Sequence, residues 1–195
     1  MKQNKCGAAV LAAILLLVAS LLPAQAGKEE EKQLRKGEIL FTMETPTKDG
    51  LPVFRTRGVV DCPPADVWKV INDYDNLANI MPGIVEGRVE KVEGNVVYFY
   101  EKDHVPVVED TWYLLRCVHD DDNFRKTMTM VDGSVESLEA EWALEPFGNG
   151  KTLVMYTLQS DPGFYVPRWV QKMSLKHTTR GFFEALRKNA CSGTD

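Results

Sequence analysis

Histidine is the side chain that moves protons near neutral pH and the commonest metal ligand, so the chain's three histidines are where chemistry would first show. His104 stands near Glu109 and Asp110, and an imidazole with a carboxylate in reach is the minimum for general acid–base work. These three are the catalytic candidates. Set against them is a plainer reading, a rim histidine in a polar connection, because no third group of the kind that orients a catalytic base is in view. His119 precedes Asp120, Asp121 and Asp122, but the run reads as a solvated acidic turn, and no calcium loop with alternating acids and a distal Glu follows it. His177 falls on one helix side with Trp169 and Met173. It reads either as a head-group partner inside an apolar cavity or as an ordinary satisfied histidine. The chain has no H-E-x-x-H zinc spacing, no G-x-S-x-G elbow, no phosphate-cradling loop, no dinucleotide fingerprint and no C-x-x-C pair, so neither a metal nor a cofactor is expected.

The elements that must position these residues follow from periodicity. Two strand arms, Glu38 to Glu44 and Val53 to Val60, flank a turn built from Pro46, Asp49, Gly50 and Pro52. Cys62-Pro63-Pro64-Ala65-Asp66 opens a helix with Val67, Trp68, Val70 and Ile71 on its apolar face. A second short helix runs through Leu77, Ile80 and Met81 until Pro82-Gly83 stops it. Six strand segments then follow: Val85 to Val92, Val96 to Lys102, Glu109 to His119, Phe124 to Val131, Val135 to Glu145 and Lys151 to Gln159. Short turns join them, so the sheet is expected to be an antiparallel meander, since parallel pairing needs crossovers of about a dozen residues. Alternation puts Leu138, Ala140, Trp142 and Leu144 inward, with Glu139, Glu141 and Glu145 outward. The same rule points Phe124, Met128 and Met130 inward, and Trp112, Leu114 and Val118 with them, although Tyr113 and Leu115 make the other face of that strand apolar too. A last helix is expected from Tyr165 to Asn189. Val166, Trp169, Val170, Met173 and His177 lie on one side of it, and Leu175, Phe182, Phe183 and Leu186 lie nearly opposite. A bend near Gly181, burial against two layers, or one half covering a cavity or a membrane would each account for that drift.

Composition bounds the rest. The chain has 195 residues, 44% hydrophobic and 26% charged, with a formal net charge of −5, which fits one ordinary globular domain. The acidic balance and the lack of a basic stripe argue against a nucleic-acid partner. Lys2 and Lys5 precede an uncharged apolar run from Ala8 to Leu22, then Pro23 and Ala24-Gln25-Ala26. This is the pattern of a secretory signal peptide, residues 1–26, cleaved after Ala26, and it places the protein outside the cytoplasm, in a periplasm. Residues 27–37, with the charged run Lys28 to Lys36, read as a solvated lead-in or frayed helix, 38–190 as the domain, and 191–195 as a tail. Cys62, Cys117 and Cys191 remain after cleavage. Three thiols permit at most one internal bridge, spacing does not say which pair, and unpaired core cysteines are the alternative. Nothing in the sequence reports an oligomeric state.

Several strings resemble those of the START-like or SRPBCC superfamily, the polyketide cyclase/dehydrase and lipid-transport group that includes Coq10-like proteins. Cys62-Pro63-Pro64-Ala65-Asp66-Val67-Trp68 with Tyr74 and Asp75 is similar to the group's opening region. Glu141-Trp142-Ala143-Leu144-Glu145-Pro146 with Gly150, Lys151 and Thr152 resembles its late strand pair. Tyr165-Val166-Pro167-Arg168-Trp169 and Ala185-Leu186-Arg187 resemble the two ends of its terminal helix. The resemblance implies an α+β helix-grip (Bet v 1/START-like) fold, an antiparallel sheet curved around a long C-terminal helix, enclosing an apolar cavity for a hydrophobic small molecule. Trp112, Met128, Met130, Trp142, Leu144, Trp169, Met173 and His177 are then the candidates for its lining, with Phe164 and Tyr165 on a gate loop able to touch a membrane transiently. Without the resemblance the same side chains would read as core. The functions it admits are a carrier or binding protein for a lipid, quinone or polyketide-like molecule, a cyclase/aromatase-type enzyme using the same cavity, and a non-catalytic interaction domain.

Overall fold

The computed structural model describes residues 27–44, 50–104 and 110–191. The expected signal peptide 1–26, the turn residues Pro46 and Asp49, Glu109 and the tail 192–195 lie outside the described residues. A first helix, α1, covers residues 27–35. Strands β1 (Leu40–Glu44) and β2 (Val53–Val60) pair antiparallel. Helices α2 (Pro64–Ile71) and α3 (Leu77–Ile80) follow, then β3 (Ile84–Glu93), β4 (Val96–Asp103), β5 (Thr111–Asp120), β6 (Arg125–Gly133), β7 (Ser137–Pro146), β8 (Thr152–Asp161) and the long helix α4 (Arg168–Asn189).

All eight strands form one sheet in the order β1-β2-β8-β7-β6-β5-β4-β3, with every neighbouring pair antiparallel. From β3 to β8 this is the expected meander, closed by β2 docking on β8. The sheet wraps α4, which is the helix-grip arrangement. Helix α4 begins at Arg168 rather than Tyr165 because Pro167 disfavours helical backbone at Val166 before it and itself stands extended, with ψ 137°, as the N-cap. Two side chains seat it: Arg187 donates to the carbonyls of Val59 on β2 and of Gly37 ahead of β1, each at 3.0 Å, and Phe183 fills the space over Gly58 of β2.

Two expectations need correction. On β5 the inward set is Tyr113, Leu115 and Cys117, all buried, while Trp112, Leu114 and Val118 turn outward. Arg116 decides it, because this exposed guanidinium shares a face with Trp112 and would otherwise be driven into the core. Trp112 stacks instead on Tyr100 outside the sheet, and Arg88 lies 3.8 Å above the Tyr100 ring. The charged lead-in is also more than solvated: Leu34 of α1 is only 5% exposed, and Glu30 pairs with Arg57 of β2 at 2.9 Å.

Of the cysteines, Cys62 and Cys191 form a disulfide across 129 residues of chain, with Cα atoms 5.7 Å apart, and Cys117 is a buried free thiol. The bridge ties the entry to α2 to the end of α4.

Candidate functional site

Because β4 to β8 curve, their inward side chains do not reach α4 everywhere, and a chamber of about 200 Å³ remains between sheet and helix. Its apolar walls come from Met128, Leu138, Trp142 and Leu158 on the sheet and from Leu175 and Phe182 on α4. The α2–α3 region roofs it through Ile71, Leu77, Met81 and Pro82. A wider vestibule of about 640 Å³ shares Tyr113, Leu158, Ser160, Ser174 and Leu175 with the chamber and opens beneath Phe164, Tyr165 and Val166. Enclosed apolar space with a few polar groups is the general form of a small-molecule site.

The polar groups stand on the same inward faces. The alternation that buries Phe99 on β4 also turns Glu101 and Asp103 toward the chamber. Burial pushes both carboxyls above the ordinary carboxylate value, and the neighbouring Glu101 charge raises Asp103 further. One β6 residue, Lys126, shares the parity of Met128. Its buried ammonium donates to the Ile71 carbonyl at 2.8 Å and sits 5.0 Å above the Tyr74 ring, and burial lowers it to about 8. Tyr74 and His119 meet at 2.7 Å between phenol oxygen and Nε2, and burial, then the charge of Lys126, holds His119 below its ordinary value. Tyr113 donates to Thr111 Oγ1 at 2.9 Å, and burial raises its phenol to about 12.

The residues expected at the site are divided by the structure. Met128 and Trp142 line the chamber. Met130 and Leu144 belong to the packed core beside it, Leu144 buried and Met130 partly so. Trp112 lies on the outer face, as above. Trp169 and Met173 are 68% and 60% exposed, and His177 is exposed with them. The three stand at i, i+4 and i+8 on the side of α4 turned away from the sheet, while Ser174, Leu175, Thr178 and Phe182 face inward. The apolar drift along α4 therefore comes from one buried face and one exposed stripe. Phe164 and Tyr165 do rim the vestibule.

His104 and Asp110 are paired, Nδ1 to Oδ1 at 2.9 Å, and Lys102 reaches the other Asp110 oxygen at 3.0 Å. These partners, His104 foremost, hold the Asp110 carboxyl below its usual range. The pair clasps the end of β4 to the start of β5, with His104 at the chamber edge and Asp110 on the vestibule. Glu101, Asp103 and Lys126 are not among the expected site residues, though Glu101 and Lys126 each stand two positions from a large apolar neighbour, Phe99 and Met128, and Asp103 continues the β4 alternation. Among the described residues no three His, Cys, Asp or Glu side chains converge on a metal position.

This fold is similar to that of several solved proteins. TTHA0849 of Thermus thermophilus matches with a TM-score of 0.66 at 19% identity, over 74% of this chain and 100% of that one. The Zhui aromatase/cyclase of Streptomyces sp. R1128 matches at 0.64 and 15%, over 72% and 93% of the two chains. A STAR-related lipid transfer protein fragment of Xanthomonas axonopodis matches at 0.57 and 18%, over 77% and 98%. At these identities the likeness is one of fold. No curated protein matches the sequence significantly. Residues 60–187, more than half of the chain, match the family model for polyketide cyclase / dehydrase and lipid transport, and the chain belongs to that family.

Proposed function

We propose that the protein binds and carries a hydrophobic small molecule in the chamber between sheet and α4. The observation that carries this reading is the continuity of an apolar chamber with a vestibule whose rim is aromatic and exposed: Tyr165 is 88% exposed. Moving an acyl chain into such a space gains about 0.8 kcal/mol per buried CH₂. Phospholipid, quinone and polyketide-like bodies all suit apolar walls.

Loading takes place at a membrane, where Phe164, Tyr165, Trp169 and Met173 form an exposed apolar patch flanked by the exposed cations Arg168, Lys172 and Lys176. That pairing of greasy anchors with positive charge suits an anionic lipid surface. The protein works outside the cytoplasm after removal of residues 1–26. The Cys62–Cys191 bridge supports this, because disulfides persist in oxidising compartments.

Native mass spectrometry of protein purified without detergent, followed by organic extraction, tests the reading. A bound lipid-like mass is expected, and Ser174→Trp, placed where chamber and vestibule join, should reduce ligand occupancy at least about tenfold while leaving the circular dichroism spectrum unchanged. Empty protein that takes up no apolar compound would overturn it. A cyclase has one observation in its favour, the carboxyl pair facing the chamber. Loss of water from an added poly-β-keto thioester, abolished by Glu101→Gln, would establish that alternative.

A further inference from the structure

A separate cleft of about 510 Å³ lies where the end of α1, the end of β2, the turn before β8 and the last turns of α4 meet. Arg35, Lys36, Lys151 and Arg187 line it against one carboxylate, Asp61, an excess of cations that stands out in a chain of net charge −5. All four cations are within reach of a dissolved ligand, since Arg35 and Lys36 are exposed and Lys151 and Arg187 half-buried. We infer that this cleft is a binding site for a soluble, multiply charged oxyanion of the phosphate or pyrophosphate kind. It shares no residue with the chamber and does not depend on what the chamber carries.

The fold holds these cations in place before any ligand arrives. Arg187 spends Nε and Nη2 on the carbonyls of Val59 and Gly37, each at 3.0 Å, which fixes the guanidinium, and a guanidinium has further N–H groups to offer. Lys151 ends a tight turn: its amide donates to the Gly148 carbonyl at 2.9 Å, and its carbonyl accepts from the Phe147 amide at 2.8 Å. Arg35 lies 5.1 Å above the Phe147 ring. Buried Leu34 anchors the helix end that carries Arg35 and Lys36, and with buried Val59 it gives the cleft apolar walls. Charge attraction is stronger beside such walls than in open water.

The existing pairs decide what fits. Lys151 meets Asp61 at 2.7 Å and Arg35 meets Glu31 at 2.6 Å, all four with exposed side chains, and exposed pairs of this kind are weak. A single carboxylate answers one ammonium and would gain little over Asp61. A phosphate group brings about two charges and several oxygens, so it can accept from lysines and from an arginine fork at once. The source of that group is dissolved rather than a lipid surface. Arg187 stands about 28 Å along α4 from Arg168, and among the described residues no exposed large apolar side chain lines the cleft to anchor a bilayer there.

Sodium pyrophosphate titrated by calorimetry into the purified protein, in a phosphate-free buffer, tests the site. Saturable binding of one pyrophosphate per chain is expected, weakening as sodium chloride rises from about 50 to about 500 mM. Lys36→Gln combined with Lys151→Gln should weaken it at least about tenfold, whereas Lys69→Gln with Lys91→Gln, which removes the same charge elsewhere, should leave it within about twofold. Asp61→Asn should tighten binding about threefold or more by removing the one acid in the cleft, a gain that a damaged fold does not produce. No binding by the native protein, or equal losses in the two lysine pairs, would overturn the site. Vesicles containing phosphatidic acid separate the sources: native protein and the Lys36/Lys151 variant should sediment with them equally, and loss confined to that variant would overturn the soluble ligand in favour of a lipid phosphate.

Discussion

Glu101 sits where a charge is costly, and its titration should be visible in the stability of the protein. Burial raises its carboxyl to about 6 from an ordinary 4.5, so the folded protein holds a proton there that the unfolded chain has released. Such a group stabilises fully below 4.5, and the contribution is lost as pH rises through about 6. Asp103, Lys126, Tyr113 and Tyr156 are the ionisable groups around it on β4, β6, β5 and β8. Lys126, lowered only to about 8, stays charged through this window. Glu101→Gln should therefore gain on the native protein between pH 4.5 and 7 by roughly 1–2 kcal/mol, a few degrees in melting temperature. Parallel melting curves for the two proteins across that range would show that Glu101 does not titrate in the chamber.

At the level of elements, the grip depends on α4 lying close to β2. A Cβ on Gly58 would stand 2.5 Å from a ring carbon of Phe183, and Phe183 is fully buried with no room to retreat. Gly58→Ala should cost about 1–3 kcal/mol by overpacking, read as a lower urea midpoint with an unchanged slope. At its other end α4 offers the stripe of Trp169 and Met173 beside Arg168, Lys172 and Lys176. Trp169→Asp combined with Tyr165→Ser should weaken binding to vesicles containing phosphatidylglycerol at least about tenfold, with little effect on vesicles of phosphatidylcholine alone. Sedimentation with the two vesicle types measures it, and equal binding by native and variant protein would remove the membrane from the loading step.

Across the whole molecule, the Cys62–Cys191 bridge joins the start of the helical roof to the end of α4 and so braces both covers of the chamber. Closing a loop of this length restricts the unfolded chain, and such bridges are commonly worth about 2–4 kcal/mol. Cys62→Ser with Cys191→Ser should lower stability by roughly that amount, and the native protein under reducing conditions should behave like the double variant. Buried Cys117 should resist alkylation until the protein unfolds, because burial raises its thiol and blocks access.

Local sequence determined most of the fold. Closely spaced turn residues, strict alternation on β7 and the proline-opened helices allow little besides an antiparallel meander with a terminal helix, because those signals depend on backbone sterics and on a period of about two or 3.6. Faces were legible where one side of an element is charged, as with Glu139 and Glu141 against Ala140 and Trp142. On β5 both sides are largely apolar and Arg116 alone marks the outer one, and on α4 both sides are apolar, so that packing against the sheet chooses which is covered. That is why Trp112, Trp169, Met173 and His177 stand outside. Glu101, Asp103 and Lys126 escaped notice for the converse reason. A charged residue reads as solvent-facing until neighbouring strands bring its partners within reach, and their mutual compensation exists only in the tertiary structure. The pairing of Cys62 with Cys191 belongs to the same class, since distance between Cα atoms, not spacing along the chain, selects a bridge.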